Sequence, residues 1–204
     1  MMRYMTAILW CNGEIPSDDL IKRVLTEGKE VFGVDGGAEI AISAGIKVQK
    51  VLGDFDSINI DKWIGESEYL PDQNISDFGK SIKYLIKKEY TEIEVLGIEG
   101  GSPEHFLGVW AVLAEIEDSV KIILHHEKRT TYRIHPDYDD TEIFVEDGKE
   151  FSIFALTPCN NITLTGAKWN MDNEKLSLSS KGLHNQGTGK SISIKADGIV
   201  VLII

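Results

Sequence analysis

Positive charge is what this chain has least of. Its 21 Lys and Arg face 33 Asp and Glu, a formal net charge of −12 over 204 residues. Such a balance argues against nucleic acid or an anionic membrane as the main partner, since both are held by basic surface. Cysteine is scarce too. Cys11 and Cys159 are the only two, far apart and in no CxxC pair, which excludes a disulfide scaffold and suits reduced thiols in a cytoplasmic setting. No stretch approaches the ~18 apolar residues that a membrane helix needs. The N-terminal apolar segment runs straight into Asn12-Gly13-Glu14, without the h-region and cleavage site of a signal peptide, and reads as a first strand. What remains, 42% hydrophobic and 26% charged residues, is ordinary for a globular protein able to bury a core without cross-links.

The pattern changes character near residue 126. Before it, short apolar runs (Met5–Cys11, Val31–Val34, Lys50–Leu52, Glu92–Gly97, Val120–Leu124) alternate with amphipathic segments at Ser17–Thr26, Ser76–Lys88 and Pro103–Glu117. In the last of these, Phe106, Val109 or Trp110, Leu113 and Ile116 fall on one face. Strand–helix alternation predicts a Rossmann-like three-layer α/β domain with a mostly parallel sheet. After residue 126 the helical period is lost. Short strands are expected at Arg129–His135, Thr141–Val145, Glu150–Leu156, Asn161–Leu164, Leu176–Ser180 and Ser191–Ile204, with Asp147-Gly148 and Asp197-Gly198 as hairpin turns. That spacing predicts a C-terminal β-sandwich or barrel. The expected domains are therefore 1–126, α/β, and 127–204, all-β.

Ligands of an open parallel sheet bind beyond the carboxyl ends of its strands. This sequence puts Gly or carboxylate there repeatedly: Asp35-Gly36-Gly37-Ala38, Gly53-Asp54-Phe55-Asp56-Ser57, Asp72-Gln73, and Gly100-Gly101-Ser102-Pro103-Glu104-His105. Mg²⁺ prefers oxygen ligands, typically one or two carboxylates completed by water and substrate phosphate. Paired glycines let backbone N–H groups approach phosphate. Taken singly, each motif has a plain alternative: a turn, an Asx cap, or for Ser76-Asp77-x-x-Lys80 a helix cap with an i,i+3 ion pair. Their shared position at one rim favours a metal–nucleotide site.

In this order the blocks resemble the thiamine pyrophosphokinase family. Gly53-Asp54-Phe55-Asp56-Ser57 followed by Gln73-x-x-Ser76-Asp77-x-x-Lys80 is the more specific part. Gly166-Ala167-Lys168-Trp169-Asn170-Met171, the Gly182–Asn185 loop and Asp197-Gly198 extend the likeness over nearly the whole chain. The resemblance implies pyrophosphate transfer from ATP to the hydroxyl of thiamine, giving thiamine diphosphate and AMP, with Mg²⁺, by a cytoplasmic homodimer whose site lies near the interface. It implies that Asp54, Asp56 and Asp77 are catalytic and hold the metal. Asp35, Gly36, Gln73, Ser76, Lys80, Gly101, Glu104 and His105 would line the ATP and phosphate site, and Trp169, His184 and Asn185 the thiamine site. A buried tryptophan of the sandwich is the alternative for Trp169.

The sequence departs from the family where Gly-Gly-Arg-x-Asp-His becomes Gly100-Gly101-Ser102-Pro103-Glu104-His105, losing a bidentate phosphate donor. Ser102-Pro103 also reads as a plain helix start. That loss keeps a second reading open, a homologue that binds thiamine or nucleotide without turnover. A third is a haloacid-dehalogenase-like phosphatase using Asp54-x-Asp56; that chemistry needs its motif after an early strand and a later Lys and paired Asp in the same domain, whereas here the motif follows the third strand and Asp139-Asp140 fall in the β half.

Overall fold

The computed structural model describes residues 5–58, 63, 65–138 and 141–204. Asp139 and Asp140 lie outside the described residues. The chain divides into two compact units, Met1–Lys128 and Arg129–Ile204.

The first unit carries six strands: β1 (Thr6–Trp10), β2 (Glu30–Val34), β3 (Lys50–Gly53), β4 (Glu66–Tyr69), β5 (Glu92–Leu96) and β6 (Lys121–His125). They lie side by side as β6-β5-β1-β2-β3-β4, every neighbouring pair parallel. Four helices accompany them: α1 (Asp18–Val24), α2 (Gly37–Ser43), α3 (Asp77–Lys87) and α4 (Pro103–Glu115). Ala7 to Trp10 are wholly buried on both sides of the strand, as a central parallel strand requires. In α3 Phe78, Ile82 and Leu85 are buried on one face of the segment expected to be amphipathic, and Ser76 starts the helix by accepting from the Gly79 N–H at 3.3 Å. Because the chain runs outward from β1 to β4 and then returns to β5, the direction of winding reverses between β1 and β5.

At that reversal the loops are fastened together. The N–H groups of Cys11, Gly13 and Glu14 donate to the carbonyls of Leu96, Gly97 and Glu99 at 2.8, 2.8 and 2.7 Å, extending the ladder past the strand ends. Only glycine fits at position 13, where a Cβ would lie 2.5 Å from both the Gly97 and Glu99 oxygens. Gly13→Ala is expected to cost about 2 kcal/mol by forced displacement of backbone and to lower Tm by roughly 4–8 °C. Thermal unfolding followed by circular dichroism checks it.

Helix α4 differs from expectation. Val112, Leu113 and Ile116 are buried, whereas Phe106 is 49% and Leu107 66% exposed. Phe106 packs edge-on against Trp110 at 5.8 Å between ring centroids. Only the second half of the helix faces its own unit's core.

The second unit is two antiparallel sheets. One runs β12 (Asn185–Gln186), β9 (Glu150–Ala155), β14 (Val200–Ile203), β7 (Thr130–Ile134); the other runs β11 (Met171–Leu176), β10 (Cys159–Thr165), β13 (Lys190–Ala196), β8 (Thr141–Val145). Alternate residues such as Phe151, Ile153, Ile162, Leu164, Ile192, Ile194, Val200 and Leu202 close a common core. The two Asp-Gly turns are not hairpins. Asp147-Gly148 joins β8 to β9 and Asp197-Gly198 joins β13 to β14, and in each case the two strands belong to different sheets. The strand expected at Leu176–Ser180 lies earlier, at Met171–Leu176, on a polar edge that pairs irregularly with β10 and has Asn173 at φ 51°. A short 3-10 turn occupies Ser180–Gly182.

Candidate active site

The carboxyl ends of β2 and β3 and the start of α3 meet. Asp35, the first residue after β2, is buried and held at φ 46°, a conformation that costs an L residue of order 1 kcal/mol. Its Oδ2 accepts from the Ser57 N–H at 2.9 Å, while Oδ1 is buried with no partner. Beyond β3 the chain bends at Gly53 and again at Phe55, φ 68°, so that Asp54 and Asp56 both reach the rim. Asp77 reaches back from α3: its Oδ1 accepts from the Asp54 N–H at 3.1 Å. A Cβ at Gly53 would fall 3.2 Å from Asp77 Oδ1 and 3.3 Å from Asp35 Oδ1, so these two carboxylates approach the same backbone point.

One cation balances this group. Lys80 is only 6% exposed, and its Nζ donates to Asp77 Oδ1 at 2.8 Å and Asp54 Oδ2 at 3.2 Å. Gln73 Nε2 donates to the same Asp54 oxygen at 2.8 Å. The Gln73 amide, with Lys80 behind it, holds the Asp54 carboxyl below its ordinary range against the opposing effect of burial. Burial pushes Asp35 the other way, upward, with its Ser57 bonds only partly offsetting. For Lys80, burial lowers and the Asp77 and Asp54 bonds raise; the net direction is up.

Asp35, Asp54 and Asp56 each offer an oxygen, and the three atoms lie within 4.8 Å of one another. That donor set of three carboxylates fits a hard divalent cation. Asp77 stands beside the cluster instead of among those three, its Oδ1 already engaged by Lys80 and the Asp54 backbone. Ser76 is the cap of α3, and Ser57 Oγ donates to Asp56 Oδ1 at 2.8 Å. Gly36 opens α2 without any side-chain cap.

One rim residue escaped the sequence reading. A Cβ at Gly36 would lie 2.9 Å from Asn12 Nδ2 and from Ser57 O, so the Asn12 amide rests directly on this loop. The signal was available: Asn12 follows the last residues of β1 just as Asp35 follows β2.

Gly101, Glu104 and His105 share the rim at the end of β5, all three exposed. Three strand steps of about 4.8 Å separate β5 from β3, roughly 14 Å along the sheet. Glu104 is drawn below its ordinary range by its own backbone N–H and the Ser102 hydroxyl, so it serves the start of α4.

The second unit brings Trp169, His184 and Asn185 to one open cavity of about 260 Å³, with Lys181, Gly182 and Leu183. Asn185 is buried and ties the wall together, donating to Trp169 O at 2.6 Å and accepting from Trp169 N at 3.2 Å. Trp169 is 54% exposed, which removes the alternative of a buried core tryptophan. Lys168 Nζ stands 4.5 Å from its ring centroid, steadied by Gln186 Oε1 at 2.8 Å. Gly182 has a packing reason: a Cβ there would fall 2.2 Å from Ile153 O.

Comparison with known proteins agrees with both halves. The model of the thiamin pyrophosphokinase catalytic domain matches residues 21–124, and that of the thiamin pyrophosphokinase vitamin B1 binding domain matches residues 131–198. A thiamine pyrophosphokinase of Bacillus subtilis is 27% identical over 188 residues, spanning 84% of this chain and 85% of its own. Among solved structures, thiamine pyrophosphokinase from Bacillus subtilis superposes with a TM-score of 0.80 at 22% identity over 97% of each chain. That from Geobacillus thermodenitrificans gives 0.79 at 18% identity over 98% of this chain and 96% of its own. The thiamin pyrophosphokinase of Candida albicans gives 0.76 at 16%, over 98% and 88%. A phosphatase built on Asp54 fits less well, because its motif follows the third strand and its Oδ2 is occupied by Gln73 and Lys80.

Proposed function

The chain belongs to the thiamine pyrophosphokinase family, and from that premise we propose that its carboxylate rim binds Mg²⁺–ATP and passes the pyrophosphate group to the hydroxyl of thiamine, releasing AMP. The observation that carries this reading is the meeting of Asp35, Asp54 and Asp56 within 4.8 Å, with a buried lysine against the neighbouring carboxylates. Pyrophosphoryl transfer asks for positioning and charge neutralisation, and needs no covalent nucleophile on the protein. Asp35, Asp54 and Asp56, with Asp77 adjacent, would hold the magnesium. Bound there, Mg²⁺ supplies neutralisation of the phosphate charge. Gln73 and Lys80 keep Asp54 ionised and aimed, Asn12 and Gly36 border the phosphates, and Gly101 and His105 extend the rim towards β5. The missing arginine leaves Lys80 to supply cationic charge, which bears on rate more than on fold.

Trp169, with His184 and Asn185, receives thiamine. The exposed indole offers a face to a thiazolium or pyrimidine ring, worth roughly 1–2 kcal/mol. Trp169→Ala should therefore raise the KM for thiamine about 5–30-fold at that energy, leaving the KM for ATP within about twofold. Initial-rate kinetics in each substrate separate the two. A homodimer in the cytoplasm suits the exposed Phe106 and Leu107 on α4 and the reduced Cys11 and Cys159. No helix among the described residues is long and apolar enough to cross a membrane.

The deciding experiment is an AMP-release assay with purified protein, Mg²⁺, ATP and thiamine. Binding of both ligands by calorimetry without AMP would give the case to a binding-only homologue.

A further inference from the structure

The loop that carries Asp54 and Asp56 also carries a ring. Phe55 lies between the two carboxylates at φ 68°, a conformation unfavourable to a bulky L residue. It is half-buried against the cluster of Ala38, Val51 and Ile58. Its ring meets that of Tyr69, with 5.8 Å between centroids and the planes inclined by 44°. Tyr69 is the last residue of β4 and pairs with Gly53 at the end of β3. Neighbouring strands lie about 4.8 Å apart, so the tyrosine stands one strand step from the residue before Asp54.

Strand β4 ends the sheet, and its other residues, Glu66, Ser67 and Glu68, are polar. Tyr69 is the only ring on it, and it is 60% exposed. A tyrosine serving the core alone would be covered; this one is covered on the Phe55 side and open at the rim where ligands of a parallel sheet bind. Its position is fixed from two directions. Phe55 braces the ring, and the backbone beside it is tied down by the Leu70 N–H donating to Gly53 O at 2.8 Å. With two side-chain torsions to restrain, an aromatic held in this way costs little entropy to use. The face of a phenol ring carries partial negative charge, which repels phosphate and suits a flat heteroaromatic ring.

We propose that Tyr69, backed by Phe55, is a stacking platform for the flat heteroaromatic ring of a substrate whose reacting end lies at Asp35, Asp54 and Asp56. The proposal rests on the pyrophosphokinase reading for the identity of that substrate. ATP brings a purine and thiamine an aminopyrimidine, each tethered to the group that must reach the metal. Both rings share the chemistry that a tyrosine face recognises, and the experiment below separates them. Tyr69 is then a specificity-determining residue: it adds affinity for a ligand with a ring and none for phosphate alone.

Calorimetry with the intact protein and Mg²⁺ tests this without turnover, using ATP, thiamine and inorganic triphosphate in separate titrations. Tyr69→Leu keeps an apolar side chain against Phe55 but removes the flat face. It should weaken one of the two ring-bearing ligands at least about fivefold, the lower end of what stacking a base on an aromatic contributes. ATP weakened marks the purine, thiamine weakened the pyrimidine. Tyr69→Phe should stay within about twofold of the unaltered protein for every ligand, and triphosphate should bind both variants as it binds the unaltered chain. Unchanged affinity for both ATP and thiamine in Tyr69→Leu would overturn the platform, as would a loss shared equally by triphosphate or a loss that Tyr69→Phe does not restore. An unaltered protein that binds triphosphate as tightly as ATP and does not bind thiamine would overturn it too, even if the leucine variant misfolds. Those outcomes leave the transfer reading intact wherever AMP is still released. A tyrosine-dependent ring affinity in a protein that releases no AMP would instead overturn the transfer and leave the platform standing.

Discussion

Asp56→Asn should lower magnesium-dependent AMP release by about 10²–10³-fold, the cost of removing one preorganised charge from a transition-state site, while shifting Tm by no more than about 2 °C. The asymmetry follows from where Asp56 sits. It is exposed, and its Oδ1 accepts from Ser57 Oγ, a bond that an amide oxygen also accepts. Nothing packs on it, so folding has little to lose. A magnesium site, by contrast, depends on the charge and hardness of its oxygens. Rates measured across a magnesium titration, with a melting curve of the same sample, check both halves. Undiminished turnover would take Asp56 out of the site.

Lys80→Met should injure both properties. Lys80 is buried between Asp54 and Asp77, with Asp35 and Asp56 close by. A methionine fills similar volume but leaves the carboxylates without their cation. The expected stability loss is roughly 2–3 kcal/mol, less than for a wholly buried pair because Asp77 retains access to water. Turnover should fall with it by at least about 10²-fold, since Asp54 loses the contact that aims it. The pH dependence gives a second reading. Asp54 titrates below its ordinary 3.8 in the folded chain, so its bonds contribute stability above that value and lose it as pH falls through the folded one. The variant keeps the Gln73 and Asp56 N–H shares and loses that of Lys80. The stability gap between the two proteins should narrow below pH 3.8, as chemical denaturation at several pH values would show.

The strands of the first unit were readable because each is a short apolar run between polar or helical stretches, and the observed β1, β2, β3, β5 and β6 lie within two residues of those runs. Helix α2 was not read, since Gly37–Ser43 is short and opens on the glycines that had suggested a turn. In the second unit, local sequence marked the turns at Asp147-Gly148 and Asp197-Gly198 without saying which sheet each strand would join. That depends on which core-facing residues meet, a non-local matter. The same limit explains α4. Its apolar stripe is real, but periodicity does not say which end has a neighbour to cover it. At the site, the convergence of the loops at 35, 54–56 and 77 was legible from strand-end chemistry. The bonds that Asp77 Oδ1 makes with Lys80 and the Asp54 backbone were not, because they depend on how α3 is set against the end of β3.

The start of α1 has its own anion built in. Glu127 receives both the Ser17 amide and the Ser17 hydroxyl, and the Ser17 hydroxyl also accepts from Leu20 N–H. The first helix after β1, which in many dinucleotide folds greets a pyrophosphate with bare amides, here has a carboxylate of its own chain at its cap. Glu127, just beyond β6, thereby fastens the start of α1 to the far end of the first sheet.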